Sequence, residues 1–122
     1  MFQELEVAAI SFKPKKWNLS ANADRLEAMF RDAASGGAQL AVAPEGVLEG
    51  YVVNELIDGH TPAARMRNVA LTLRSAQIQR FKSLARELGM CLVFGLAERI
   101  GRNVYNCSVF LDQHGRLCGK YH

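Results

Sequence analysis

The sequence is poor in proline and has no hydrophobic run long enough to cross a membrane. Only 3 of its 122 residues are proline, whereas 49% are hydrophobic. That composition is typical of a chain that buries a core and not of a disordered one. A membrane-spanning helix needs roughly 20 consecutive apolar residues, and no such stretch is present. We therefore expect one folded domain with no membrane partner.

Charge of one sign is also scarce. Fifteen basic and twelve acidic side chains leave a net charge of +3, which is too small to indicate a nucleic-acid partner. Glu4 and Glu6 lie where a secretory signal would carry basic residues. Three cysteines are an odd number for a chain without such a signal. Reduced thiols and a cytoplasmic location are therefore expected.

The hydrophobic periodicity predicts an α/β domain with the order β-α-β-loop-α-β-β-β. Strands are predicted at residues 5–12, 39–43, 90–96, 103–111 and 116–121, and helices at 24–34 and 76–88, with part of 63–73 helical. Residues 97–102 are predicted to form a turn. The first strand is apolar on both faces, so it is expected to be covered on both sides.

The most informative stretch is the one that ends the second strand. Pro44 cannot donate a hydrogen bond to a neighbouring strand, so it closes the strand and places Glu45 at its carboxyl end. Open α/β sheets gather their active sites at that edge. A solvated loop carboxylate that caps a helix or pairs with an arginine is the alternative.

Two kinds of ligand site are not expected. The turn after the first strand, residues 13–16, is Lys-Pro-Lys-Lys and lacks the glycines of a dinucleotide-binding loop. His60, His114 and His122 do not fall at the spacing of metal ligands. We therefore predict no cofactor and no metal.

Five short motifs follow one another along the chain. They are residues 43–45 with 50–51, 85–90, 93–98, 104–108, and 112–115 leading to 119–122. In these motifs and their order, the sequence resembles the nitrilase, or carbon–nitrogen hydrolase, superfamily over its whole length. The resemblance implies the N-terminal half of a four-layer αββα sandwich.

Enzymes of that family use a Glu–Lys–Cys triad, in which the cysteine attacks a nitrile or amide carbon and forms a thioester. The glutamate is the general base and the lysine stabilises the developing charge. The resemblance implies that Glu45 is the base and that Tyr51, Glu98 and Asn106 shape or support the pocket. The substrate would be a small amide or nitrile.

The other two triad members do not match residues of this chain. The family's lysine follows a motif of the type Gly-Lys-Tyr-Arg or Gly-Lys-Tyr-His, so it would come directly after His122. Making Lys120 catalytic would require a shift of register that misplaces Tyr121. The cysteines at positions 91, 107 and 118 lie inside strand runs, where a core role is expected.

The chain is therefore predicted to be a single, truncated domain over residues 1–122 that is inactive by itself. A half-sandwich leaves a sheet face uncovered, so a homodimer or a higher oligomer is expected. Two alternatives remain open. One is a short, non-catalytic α/β module for binding or oligomerisation. The other is a flavodoxin-like nucleotide binder, which the missing glycine loop disfavours.

Overall fold

A computed structural model describes residues 3–122, which form five strands and four helices. The strands are β1 Val7–Ala9, β2 Leu40–Val42, β3 Cys91–Ile100, β4 Asn103–Leu111 and β5 Leu117–Tyr121. The helices are α1 Leu19–Ser35, α2 Val53–Ile57, α3 Ala63–Val69 and α4 Ala76–Leu88. The element order is the predicted one, and the long connection after β2 carries the two short helices. Within residues 3–122, no helix is long and apolar enough to cross a membrane.

The strands form one mixed sheet in the order β1-β2-β3-β4-β5. The first three run parallel, and the last two pairs are antiparallel. Parallel neighbours need a crossover, which α1 supplies between β1 and β2 and the segment containing α4 supplies between β2 and β3. β3 is the central strand of this sheet.

Both long helices begin at a side-chain cap. The side chain of Asn18 accepts a hydrogen bond from the backbone N–H of Ala21 at 3.1 Å, and that of Ser75 accepts one from Ile78 at 3.4 Å. Gly89 ends α4 in the left-handed conformation, with φ at 61°. The first helix begins at Leu19 and not at residue 24, because Asn18 caps it and its first turns are already packed.

One face of the sheet packs against α1 and α4. Phe30 of α1, Phe81 of α4 and Phe94 of β3 meet there, with ring centroids 4.8–6.3 Å apart. All three side chains are fully buried. Aromatic clusters of this kind bury a large apolar area, so this contact holds the two layers together. We call this the helix face of the sheet.

The opposite face, which we call the outer face, is exposed along the row of residues that crosses β3 at Val93. Val42 and Phe110, which both occupy the row of Val93 across the sheet, are 38% and 37% exposed, and Tyr121 is 79% exposed. The predicted burial of the first strand on both faces is wrong, because Val7 on the outer face is 52% exposed. The two long helices pack on one face only, which is the layering of half an αββα sandwich.

The predicted turn at residues 97–102 is also wrong. The central strand continues to Ile100, and the turn is confined to Gly101 and Arg102. The reason is cross-strand pairing: Ala97 lies opposite Asn106, and the ladder with β4 persists to the end of the hairpin. As a result, Glu98 is a strand residue.

The three cysteines differ in environment. Cys107 is buried in β4, as expected, and Cys91 is half-buried in β3. Cys118 of β5 is exposed, so the core role expected of it is wrong. An edge strand offers fewer covered positions than the centre of the sheet, which explains the difference.

Gly95 of β3 lets the loop after β2 lie directly against the sheet. A Cβ atom added at this position would overlap Gly46 N and lie 2.8 Å from Glu45 Cα. Both neighbours are backbone atoms, which cannot move aside by a change of rotamer.

Replacing Gly95 with alanine should therefore lower the free energy of unfolding by about 1–3 kcal/mol, the usual cost of overpacking a closed site. Gly119→Ala is the matched control, since an added Cβ on this β5 glycine meets nothing within 4 Å. Urea unfolding of both variants measures the difference. Equal stability of the two would contradict this packing.

Candidate active site

The loop after β2 remains hydrogen-bonded to the edge of β3. The N–H of Gly95 donates to the carbonyl of Pro44 at 3.2 Å, and the N–H of Leu48 donates to the carbonyl of Gly95 at 3.4 Å. Glu45 lies between these two bonds. It is the third residue after Val42, the last of β2, and not the first loop residue as predicted.

A tight turn follows Glu45. Gly46 and Tyr51 both have left-handed backbone conformations, with φ at 59° and 53°. The N–H of Tyr51 donates to the carbonyl of Gly46 at 2.8 Å and closes the turn. Gly50 allows close contact with the loop between β1 and α1, because an added Cβ would lie 2.7 Å from Lys16 Cα. The glycines noted in the sequence therefore serve the shape of this turn.

A buried carboxylate continues the edge of β3 beyond the turn. Glu49 is only 5% exposed, and its Oε2 accepts a hydrogen bond from the N–H of Ala97 at 3.0 Å. Further along the same edge, the N–H of Leu71 donates to the carbonyl of Ala97 at 2.9 Å. The side chain of Glu49 thus takes the position of a missing strand partner.

Glu49 was not among the site residues predicted from the sequence. A carboxylate between Leu48 and Gly50, in an otherwise apolar turn, was the available signal. Burial raises the pKa of the Glu49 carboxyl, and the nearby charge of Glu45 raises it further. The two hydrogen bonds from backbone N–H groups act in the opposite direction without cancelling the effect.

Glu45 and Asn106 meet on the outer face. The side-chain Nδ2 of Asn106 donates a hydrogen bond to Glu45 Oε1, although 61 residues separate the two in sequence. Asn106 lies opposite Ala97 in the β3–β4 ladder and alternates with the buried Cys107. The amide therefore fixes the orientation of the carboxylate that the sequence singled out.

Glu45, Glu49, Tyr51 and Asn106 line one cavity of about 380 Å³. That volume is within the range of small-molecule sites. The remaining wall comes from α2, α3 and the start of β4, and includes Arg102. The structure therefore brings together three of the four residues that sequence analysis proposed.

The fourth, Glu98, lies at the helix face of the sheet and is 3% exposed. Lys120 Nζ lies 2.8 Å and 3.1 Å from its two oxygens, and His122 Nε2 lies 2.6 Å from Oε2. The His122 ring also stacks on Tyr105, with centroids 4.5 Å apart. Of the two roles predicted for Glu98, this geometry favours support, since the residue anchors the end of β5.

Lys120 and His122 stabilise the ionised form of Glu98. Burial alone would raise the pKa of Glu98, but the bonds from Lys120 and His122 outweigh it and lower that pKa below its usual value. Burial also raises the pKa of the adjacent Cys107 thiol to about 12, with help from the charge of Glu98. Cys107 is therefore a protonated thiol and a poor nucleophile.

Glu98, Cys107 and His122 place one potential metal-ligand atom each within 4.8 Å of one another. Sequence analysis did not find this trio, because its members come from three different strands or strand ends. Lys120 already contacts both oxygens of Glu98, so the carboxylate has a cationic partner without an ion.

The family is shown by comparison with known proteins. The profile of the carbon–nitrogen hydrolase family matches residues 6–122. The chain therefore belongs to the carbon–nitrogen hydrolase family, and the predicted membership of the nitrilase superfamily is confirmed.

Curated relatives agree with this assignment. The chain is 27% identical over 120 residues to an aliphatic nitrilase of Rhodococcus rhodochrous, covering 94% of this chain and 33% of that enzyme. It is 32% identical over 125 residues to a nitrilase of Pseudomonas syringae pv. syringae, covering 98% of this chain and 37% of the relative. The chain thus spans about a third of the length of the curated relatives it matches.

Solved structures confirm the fold. The chain superposes on an amidase from Nesterenkonia sp. with a TM-score of 0.73 at 24% identity, covering 96% of this chain and 41% of the amidase. A second structure of an amidase from that genus gives a TM-score of 0.74, with 43% of its chain covered. This coverage agrees with half of the αββα sandwich.

Glu49→Gln tests the buried carboxyl. Because burial raises the native pKa of Glu49 above the ordinary value of a glutamate, the native state binds more protons than the unfolded state just above that ordinary value. This group therefore makes stability fall as the pH rises through that window. Glutamine keeps an oxygen for the Ala97 N–H but cannot ionise, so the variant should lose this pH dependence and be at least as stable as the parent near neutrality.

Urea unfolding at several pH values between about 5 and 8 measures the slope. Glu87→Gln is the control, since Glu87 is an exposed carboxylate of α4. That variant should keep the parental slope between those pH values. An unchanged slope in Glu49→Gln would contradict the assignment.

Proposed function

We propose that the protein containing this chain hydrolyses a small amide or nitrile, with Glu45 as general base. The observation that carries the proposal is the Glu45 carboxylate, oriented by Asn106 at the wall of a cavity of about 380 Å³. Family membership and the nitrilase relatives support the same chemistry. Tyr51 lines the cavity and contributes to its shape.

The register of β5 indicates where the lysine of the triad would lie if it follows His122. Ser108 pairs with Tyr121, so an extended antiparallel ladder would set the residue after His122 opposite Asn106 and on the side of Glu45. A lysine there would stabilise negative charge at the reacting carbon. Lys120 points to the opposite face and is held by Glu98, which argues against the shifted register.

The nucleophilic cysteine would lie outside this chain. Within residues 3–122, the thiol of Cys91 contacts Gln113, that of Cys118 contacts Asp112, and Cys107 is buried. One structure of the Nesterenkonia amidase shows acrylamide added to that enzyme's active-site cysteine. We therefore infer that residues 1–122 form the N-terminal part of a longer domain and are inactive alone.

For an amide, the chemistry would run in two halves. The thiol loses its proton to Glu45 as its sulfur bonds to the carbonyl carbon, and the C–N bond then breaks as Glu45 returns the proton to the leaving amine. Water next attacks the thioester carbon and gives a proton to Glu45. The C–S bond then breaks, the acid leaves, and Glu45 returns the proton to the sulfur. Asn106 would keep the carboxylate in place through both halves.

The exposed outer face supports a second proposal. Its apolar side chains need a covering layer, because large exposed apolar patches drive association. In the longer protein, the rest of the αββα domain would supply that layer. Taken alone, the chain would use a second copy, which is also how a non-catalytic oligomerisation module would behave.

Three unpaired thiols favour a reducing, cytoplasmic location.

Glu45→Gln tests the base in the longer protein. Glutamine keeps the shape and the acceptor for Asn106 but cannot take a proton, so kcat should fall by about 10²- to 10⁴-fold with little loss of stability. Ammonia release from butyramide and butyronitrile measures the effect, and Glu87→Gln serves as control. A variant that retains more than about a tenth of the parental kcat would remove Glu45 from this role.

Sedimentation velocity tests the outer face in the 122-residue chain. We expect a concentration-dependent dimer or larger species, which the double change Val42→Thr and Phe110→Ser should weaken by removing apolar contact area. Ile57→Ser is the control, since Ile57 is 73% exposed but belongs to α2. A stable monomer at all concentrations would refute the proposed association.

A further inference from the structure

Two arginines line the cavity without a carboxylate partner. Arg67 and Arg102 both contribute to its wall, and neither forms an ion pair within residues 3–122. Arg80, by contrast, bridges Asp24 and Glu27 at 2.9 Å and is therefore engaged by carboxylates of its own chain. Two guanidinium groups that line one cavity without a partner call for a ligand of opposite charge.

These arginines come from separate elements. Arg67 lies in the last turn of α3, and Arg102 lies in the turn between β3 and β4. Both nevertheless line the same cavity, so their common environment does not come from a single local motif.

Glu45 and Arg102 line the cavity at different points along the β3–β4 hairpin. Asn106, which holds Glu45, is four residues along the chain from Arg102. At about 3.3 Å per strand residue, the two backbone positions lie about 13 Å apart or less. The long arginine side chain can shorten that span, so a small molecule could reach from Glu45 to Arg102.

Much of the remaining cavity wall is apolar. It includes Val53 and Leu56 of α2, Met66 of α3 and Val104 of β4. Such a wall favours a short hydrocarbon linker over a polar one, since burying unpaired polar groups is costly. Guanidinium groups, in turn, bind carboxylates through paired N–H donors.

We propose that the site selects substrates with a carboxylate at the end remote from the reacting carbon, joined to it by a short hydrocarbon chain. These are the ω-amido and ω-cyano carboxylates. This inference rests on the proposed hydrolase function, because it assumes that the reacting carbon lies near Glu45. Arg67 and Arg102 would then determine specificity by binding the remote carboxylate.

A matched pair of amides tests the proposal in the longer protein. Glutaramate and valeramide have the same five-carbon chain and differ in whether the remote end is a carboxylate or a methyl group. The ratio of their kcat/KM values should favour glutaramate by about tenfold or more. The preference should decrease as salt screens the charges.

The double variant Arg67→Gln and Arg102→Gln should reduce that ratio by about 10- to 100-fold. Arg99→Gln is the control, since Arg99 is an exposed arginine of β3 that does not line the cavity. It should leave the ratio unchanged. Thermal unfolding of each variant separates a change of specificity from a loss of fold.

The outcomes separate the two proposals. If both amides are hydrolysed but the parental ratio is near one, or the double variant keeps it, the specificity inference fails and the hydrolase function stands. If neither amide is hydrolysed, the proposed function fails. Calorimetric titration with glutarate then decides the inference: binding that the double variant abolishes supports a carboxylate site, and no binding overturns it.

Discussion

The backbone edge of β3 is the constraint on which the site depends. This strand has ten residues, whereas β2 covers only three of them. The remaining buried N–H and C=O groups need other partners, because leaving them unpaired is costly. The loop after β2, the side chain of Glu49 and Leu71 supply those partners. The turn that carries Glu45 therefore owes its position to a requirement of the neighbouring backbone.

The hairpin of β3 and β4 separates two groups of charged side chains onto opposite faces of the sheet. On the outer face, Asn106 orients Glu45 beside an open cavity. On the helix face, Glu98 holds the end of β5 through Lys120 and His122. The first group is accessible to a ligand, while the second is satisfied internally. This division distinguishes the carboxylate available for chemistry from the one that maintains the structure.

Local signals in the sequence predicted the elements whose stability is local. The helix between Ser75 and Gly89 was predicted correctly because its cap, its apolar stripe and its terminating glycine all lie within it. The exposure of β1 could not be predicted, since it depends on which face of the sheet the helices cover. The role of Glu49 was missed for a similar reason, because its partner lies 48 residues away. Asn106 was identified only through the family resemblance.

The alternation of β5 has a consequence for how this region can change in evolution. Lys120 and His122 face one side while Tyr121 faces the other, so loss or gain of one residue in the strand would exchange the two sides. An anchoring residue would then occupy the outer face, and Tyr121 would turn toward Glu98. Substitutions here can be gradual, but a length change that preserves the arrangement must involve two residues together or be absorbed by a bulge. The strand pairing already shifts at Phe110 and Leu111, which marks where an odd change could be accommodated.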